Sequence, residues 1–251
     1  MNKVPKVQLK KGIYILPSLF TTGNVFCGFY AFITVLNNQY FMAAVAIVVA
    51  IIFDCLDGRV ARLTKTTSAF GVQYDSLADV ISFGMAPALL AYAWVLKPFG
   101  RLGWMAAFLF LLCGALRLAR FNVTKPDTTG DHFIGLPIPA AAAVIASIII
   151  AFEDLFATRL NPMIMVGVVY LLAFLMVSNI KYPAFKKFQF KKRVTFTRFL
   201  FIILFIYALA TIPRVALFSL SFAYALSGPV LFTIALFKNK DSSKLREPLT
   251  K

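Results

Sequence analysis

Long apolar stretches recur along the chain and are separated by short segments rich in proline, lysine and arginine. A helix needs about 20 consecutive apolar residues to cross the hydrocarbon core of a bilayer. Stretches of this length predict about eight spans, at 17–36, 40–61, 71–96, 103–121, 137–153, 162–179, 197–213 and 215–237. The pattern therefore predicts an all-α fold, a polytopic membrane helical bundle.

The composition agrees with a membrane protein. Of the 251 residues, 60% are hydrophobic, more than is usual for a soluble domain. The net charge of +16 comes from basic residues that cluster between the apolar stretches. This placement favours contact with anionic lipid over binding of nucleic acid. Three cysteines without paired spacing are expected to be reduced, and the first span, which has no cleavage site after it, to be retained.

The distribution of basic residues predicts the orientation of the spans. If the N-terminus is cytoplasmic, only Lys97, Arg101, Arg159 and Arg214 of the 26 Lys and Arg residues lie outside. Positive residues are concentrated in cytoplasmic loops. We therefore expect both termini to face the cytoplasm and the protein to lie in the inner (cytoplasmic) membrane.

A basic and aromatic segment divides the predicted spans into two groups. It is expected to be a cytoplasmic loop lying on the membrane surface. The predicted organisation is a core of six spans at 1–180, the loop at 181–198, a hairpin of two spans at 199–237 and a basic tail at 238–251.

Four of the ten acidic residues gather at the predicted cytoplasmic ends of the second and third spans. They are Asp54, Asp57, Asp75 and Asp79, and on helices each pair shares one face. Charged groups in a membrane are costly and usually functional. Four like charges need a counter-charge, and a divalent cation is the simplest. A salt-bridge network with Arg59 and Arg62 would account for one or two of the acids.

Small and polar residues accompany the acids. Small residues leave space for a ligand, whereas cationic and hydroxyl groups suit phosphate. The small residues are Gly58, Ala61 and Gly71, and the polar ones are Arg62, Lys65, Thr66, Thr67 and Ser68. Together with a metal, this set predicts a site for a phosphate-rich ligand.

The spacing D-x2-D-G-x2-A-R-x8-G-x3-D-x3-D, from Asp54 to Asp79, resembles the signature of the CDP-alcohol phosphatidyltransferase family at every fixed position. The resemblance implies a six-helix core with a cytoplasmic site, which agrees with treating the last two spans, beyond the basic loop, as an addition. It also implies a homodimer.

The resemblance assigns roles to the residues of this stretch. Asp54, Asp57, Asp75 and Asp79 would bind one or two divalent cations, Mn²⁺ or Mg²⁺. Asp79 would also be the catalytic base. The residues implied to bind the CDP group are Gly58, Ala61, Arg62, Ser68 and Gly71.

The chain is similar beyond this signature to bacterial family members that use L-serine. The similar stretches are 16–31, 68–90, 113–123 and 133–143. They imply transfer of the phosphatidyl group from CDP-diacylglycerol to L-serine, with membrane lipids as surroundings and no nucleic-acid partner.

Recognition of serine requires a cation near its carboxylate. Arg117, Arg120 and Asn122, at the cytoplasmic end of the fourth span, are the candidates for binding serine or the lipid phosphate. Anchoring by positive charge is the alternative for the two arginines. Asn24 is either part of the site or a contact between helices, and His132 is expected to lie in a solvated loop.

Two other functions remain open from the sequence. One is a family member that uses another alcohol, such as glycerol phosphate or inositol phosphate. The other is a cation transporter, which is disfavoured because the acids lie near one end of their spans and no inverted repeat is visible.

Overall fold

The computed structural model describes residues 15–64, 68–123, 132–153, 159–183 and 211–244. These residues form seven helices and two short strands. The helices are α1 (Ile15–Leu36), α2 (Tyr40–Thr64), α3 (Ala69–Phe99), α4 (Arg101–Val123), α5 (Ile138–Ala151), α6 (Pro162–Val177) and α7 (Pro213–Lys244), and the strands are β1 (His132–Ile134) and β2 (Lys181–Pro183).

The predicted all-α membrane fold is confirmed. Five of these helices, namely α1 to α4 and α7, are long and apolar enough to cross a bilayer, and α5 and α6 are shorter apolar helices. The bounds of each helix agree with those of a predicted span to within a few residues, except that α7 continues to Lys244. Most of the predicted span at 197–213 lies outside the described residues.

Helices α1 and α2 form a hairpin and make the most extensive contact of any two described helices. Asn38, in the left-handed conformation at φ 59°, makes the turn between them, and its side chain accepts a hydrogen bond from the Tyr40 hydroxyl at 2.8 Å. Asparagine tolerates this conformation better than most residues. Ala31, Ala43 and Ala44 are fully buried. Such small side chains let two backbones approach closely in a membrane.

Helix α3 is continuous but not regular. It contains π-helical segments at Val80–Met85 and Tyr92–Leu96 and ends in a 3₁₀ turn at Lys97–Phe99. Pro87 follows the first segment, and proline removes a backbone donor from a helix. A π-helical turn changes the direction in which the side chains on either side of it point. The acid-bearing part, Ala69–Asp79, comes directly before the first segment.

Helix α5 lies at the centre of the bundle. Eleven of its residues are buried, and it packs against α2 and α7. A helix that is apolar on all sides is expected to be enclosed by others. Its position explains why a stretch of only 14 residues remains stable as a helix.

A small antiparallel ladder joins the C-terminal part of the chain to this core. Strand β1 pairs with β2, with Phe133 opposite Tyr182. The Tyr182 hydroxyl donates to the Ala225 carbonyl of α7 at 3.1 Å, and the hydroxyls of Ser147 on α5 and Ser221 on α7 are 2.9 Å apart. Helix α7 is therefore packed against the core, and the predicted domain division remains a prediction.

Candidate active site

The end of α2 and the start of α3 bring three of the predicted acids together. Oxygen atoms of Asp54, Asp57 and Asp75, one from each carboxylate, lie within 4.8 Å of one another. Carboxylates are the ligands that Mg²⁺ and related hard cations prefer. These three acids thus have the donor chemistry and the spacing to hold a divalent cation.

Asp79 lies one helical turn beyond Asp75 and is 7% exposed. It interacts electrostatically with Asp54 and Asp75. One oxygen of Asp75 and one of Asp79 are buried without a hydrogen-bond partner. Buried polar atoms are rarely left unpaired in native proteins, and a bound cation would satisfy these two oxygens.

Thr21 on α1 holds one of the acids in place. Its hydroxyl donates to Oδ2 of Asp57 at 3.0 Å, and both residues are buried. A hydrogen bond of this kind orients a carboxylate toward a metal. Sequence reasoning assigned Thr21 no role. The available signal was a hydroxyl residue inside an apolar helix.

A cavity of about 190 Å³ opens beside the acids. All five residues predicted to bind CDP line it, and so do Asp57, Asp75, Pro17, Ser18 and Thr21. The contributions of Pro17 and Ser18 were not predicted. The cavity therefore joins α1, α2 and α3 around the acidic cluster.

The small and polar residues of the cavity have separate structural functions. A Cβ atom at Gly58 would meet nothing within 4 Å, so this glycine leaves space inside the cavity. Ser68 caps α3 by accepting a hydrogen bond from the Gly71 backbone at 2.9 Å. Arg62 donates through Nε to the Gly58 carbonyl at 2.8 Å, and its side chain is exposed.

The candidate residues on α4 occupy different environments. Arg117 is 7% exposed, its Nε atom has no hydrogen-bond partner, and it interacts electrostatically with Asp79. Arg120 instead donates to the carbonyl groups of Val177, Ser178 and Ile134 and to the Asn179 side chain, over 3.1–3.4 Å. The structure therefore brings Arg117 toward the acids and ties Arg120 to α6 and β1.

Asn122 and Asn24 differ in whether their side-chain amides are hydrogen-bonded. Asn122 donates to the Ser76 hydroxyl at 2.9 Å, beside Asp75 on α3. Asn24 is fully buried, and neither polar atom of its side-chain amide has a partner. Its backbone carbonyl accepts a hydrogen bond from Ser82 at 2.9 Å.

Other polar residues considered from the sequence lie outside the described part of the chain. These are Lys65, Thr66, Thr67 and the side chain of His132.

Comparisons with known proteins agree with the motif. The profile of the CDP-alcohol phosphatidyltransferase family matches residues 14–177. Two Helicobacter pylori proteins named CDP-diacylglycerol–serine O-phosphatidyltransferase are 38% and 39% identical over 235 residues, 92% of this chain and 98% of each relative. A Methanocaldococcus jannaschii protein of the same name is 40% identical over 187 residues, 74% of this chain and 82% of its own.

The profile match covers the acidic cluster and the helices that line the cavity. The Helicobacter pylori relatives extend the similarity over nearly the whole chain. The chain belongs to the CDP-alcohol phosphatidyltransferase family.

Proposed function

We propose that this protein is a CDP-diacylglycerol–serine O-phosphatidyltransferase that transfers the phosphatidyl group to L-serine and forms phosphatidylserine and CMP. The observation that carries the proposal is the contact of the acidic cluster with the cavity. Three carboxylates lie within 4.8 Å of one another, and the adjoining cavity is lined by all five residues implied to bind CDP. The names of the relatives support serine as the acceptor.

The four acids would hold divalent cations, Mn²⁺ or Mg²⁺. We propose that the complete set, Asp54, Asp57, Asp75 and Asp79, holds two of them. The unpaired buried oxygens of Asp75 and Asp79 support this assignment. When bound, such a cation neutralises the charge of phosphate oxygens and of a departing phosphate. Thr21 keeps Asp57 oriented for this purpose.

The protein residues position both substrates for a direct displacement. Gly58 leaves open space in the cavity, so that the CDP group can lie against α2. The serine hydroxyl forms a bond to the phosphorus that carries diacylglycerol. The bond between this phosphorus and the oxygen bridging to CMP breaks, and CMP leaves with the electron pair.

Asp79 is the proposed base for the serine hydroxyl proton. A base must reach the attacking hydroxyl, directly or through one water molecule. Asp79 is buried next to the other acids, and its carboxylate has two oxygen atoms, so that one would bind the cation and the other would accept the hydroxyl proton. Its carboxylate takes the proton as the new oxygen–phosphorus bond forms.

Arg117 is the residue that we assign to the serine carboxylate. Its guanidinium is buried beside Asp79 and retains an unpaired donor. Charge-assisted hydrogen bonds from arginine to carboxylates are strong and directional. We assign Arg120 to positioning, because it already donates to four protein oxygens. Asn122 supports α3 through Ser76.

We further propose that the acidic site and both termini face the cytoplasm, and that the enzyme is a homodimer in the inner membrane. The positive residues of the loops support this orientation. CDP-diacylglycerol would approach from the membrane, whereas serine and divalent cations would arrive from the cytoplasm.

Metal-dependent release of CMP tests the proposed function. Purified protein in detergent with CDP-diacylglycerol should release CMP when L-serine and Mn²⁺ or Mg²⁺ are both present. Addition of EDTA should stop the release, and excess metal should restore it. Uptake of divalent cations into proteoliposomes without any CMP release would instead favour a transporter.

A further inference from the structure

A second cavity lies at the end of the bundle opposite the acidic cluster. Its volume is about 710 Å³, and its wall is formed by the turn between α1 and α2, the end of α3 and the start of α6. Tyr40 in this wall and Asp57 in the acidic cluster lie near the two ends of α2, and a rise of about 1.5 Å per residue separates them by roughly 25 Å. The cavity is therefore separate from the proposed active site, and its volume is in the range of about 300–1,000 Å³ that is usual for ligand sites.

Basic groups line this cavity. Lys97 at the end of α3 and Arg159 shortly before α6 both belong to its wall, and the described lining contains no acidic side chain. They are two of only four basic residues expected on this side of the membrane, where basic residues are uncommon. Asn161 and Pro162 bring the N-terminus of α6 to the cavity, and a helix N-terminus favours an anion. The cavity therefore has the charge to attract an anionic ligand.

The guanidinium of Arg159 is held in place by two neighbours. Its Nη1 atom donates to the Trp94 carbonyl at 3.0 Å, and its central carbon lies 5.3 Å from the centroid of the Tyr40 ring. The Tyr40 hydroxyl in turn donates to the Asn38 side chain at 2.8 Å. A guanidinium has five N–H donors in a rigid fork, and the described contacts use one of them. Arg159 is thus oriented before a ligand arrives, which reduces the entropy lost on binding.

Apolar side chains line the cavity next to the basic ones. They include Trp94, Val95 and Leu160, of which Trp94 is fully buried. The Trp94 indole donates to Glu153 at 2.6 Å, so this carboxylate has a partner, and it does not belong to the described lining. A ligand that combines a charged group with an apolar part would match such a wall. At the ends of membrane helices, a phospholipid is a ligand of this kind.

We propose that this cavity binds a phosphate group, which Lys97 and Arg159 would contact through charge-assisted hydrogen bonds. A phospholipid headgroup and free phosphate share this chemistry. The apolar lining and the position at the ends of α3 and α6 favour the lipid. A bound phosphate would connect α3 to α6, and a ligand that binds only the folded protein raises its thermal stability. The proposal is independent of the reaction at the acidic cluster.

Thermal unfolding of the purified full-length protein in a neutral detergent tests the proposal. Phosphatidylglycerol, added at increasing mole fraction, should raise Tm, whereas diacylglycerol, which has the same apolar part but no phosphate, should not. Inorganic phosphate at constant ionic strength is the third probe. A rise in Tm with phosphatidylglycerol alone would identify a lipid headgroup as the ligand. A rise with inorganic phosphate as well would show that the phosphate group is sufficient by itself.

Two variants that lose the same charge show whether the effect comes from this cavity. Lys97→Gln should raise the half-saturating mole fraction of phosphatidylglycerol by about 10-fold, the value of one hydrogen bond to a charged group. Arg101→Gln is the matched control and should respond as the wild-type protein does, because Arg101 begins α4 at the same end of the bundle but does not line the cavity. Both side chains are exposed, so neither variant should change Tm without ligand.

Several results would overturn the proposal. One is an unchanged Tm with both phosphatidylglycerol and inorganic phosphate, and another is an equal rise with diacylglycerol, which would indicate apolar contact alone. An equal response of Lys97→Gln and the wild-type protein would place the lipid elsewhere. Equal weakening in Lys97→Gln and Arg101→Gln would indicate general attraction to basic residues. None of these results would affect the proposed function, which the release of CMP tests separately.

Discussion

In the described part of the chain, four residues have buried polar side-chain atoms without a hydrogen-bond partner. They are Asn24, Asp75, Asp79 and Arg117. Each such atom costs free energy unless a partner satisfies it. Asp75, Asp79 and Arg117 were predicted from the sequence to bind metal or substrate, whereas Asn24 was left open. At the residue scale, these four side chains mark where ligand groups are expected to bind.

The proposed base provides the first prediction at this scale. Asp79→Asn keeps the size of the side chain but removes its ability to accept a proton. Turnover measured as CMP release should fall by about 10²–10⁴-fold, the usual contribution of a general base. Glu153→Gln is the control, since Glu153 accepts a hydrogen bond from Trp94 far along α3. Full activity of Asp79→Asn in folded protein would contradict the assigned role.

The hydroxyl of Thr21 provides a second prediction. Thr21→Val removes the hydrogen bond to Asp57 and should raise the Mn²⁺ concentration for half-maximal activity by about 10-fold, as changes next to metal ligands do. Thr34→Val is the matched control on the same helix, because the Thr34 hydroxyl donates only to the carbonyls of Tyr30 and Ala31. Equal metal requirements in the two variants would show that Thr21 does not support the cation site.

At the element scale, helix α2 (Tyr40–Thr64) and the first part of α3 (Ala69–Asp79) carry the acidic cluster. Their acids were predictable because spacings of three and four residues place side chains on one helix face. The two pairs of acids also lie close together because the connection between these helices is short. The π-helical segments of α3 were not predictable, because they depend on how Pro87 and its neighbours pack against other helices.

Glycine in the cavity wall provides a prediction for α2. Gly58→Ala adds a methyl group that meets no protein atom, so the thermal stability of the protein should not fall. The methyl group would occupy cavity space, and KM for CDP-diacylglycerol should rise several-fold. Gly167→Ala on α6 is the matched control, since a Cβ atom there also meets nothing within 4 Å. If both variants had the wild-type KM, Gly58 would not line the CDP site.

At the scale of the whole molecule, the sequence predicted the helical membrane fold and most of the span positions, since these depend on local hydrophobicity. Contacts between distant segments were not predictable. Examples are the pairing of β1 with β2, the bond from Tyr182 to Ala225, and the hydrogen bonds of Arg120 to the end of α6. They depend on tertiary packing, which no local pattern records.

The proposed topology gives a prediction at the same scale. Alkaline phosphatase fused after residue 100, between α3 and α4, should be active, because this loop is expected to face the periplasm. The same reporter fused at the C-terminus should be inactive, because the tail is expected to be cytoplasmic. The opposite pattern would reverse the orientation, and activity at both positions would require an odd number of spans.

A panel of alcohols tests directly which acceptor the enzyme uses. Purified protein would receive CDP-diacylglycerol, Mn²⁺ or Mg²⁺ and one radiolabelled alcohol at a time: L-serine, glycerol 3-phosphate or inositol phosphate. A labelled lipid should form with serine alone, should be identified as phosphatidylserine and should be formed together with CMP. A labelled lipid from another alcohol, with none from serine, would contradict the proposal that serine is the acceptor.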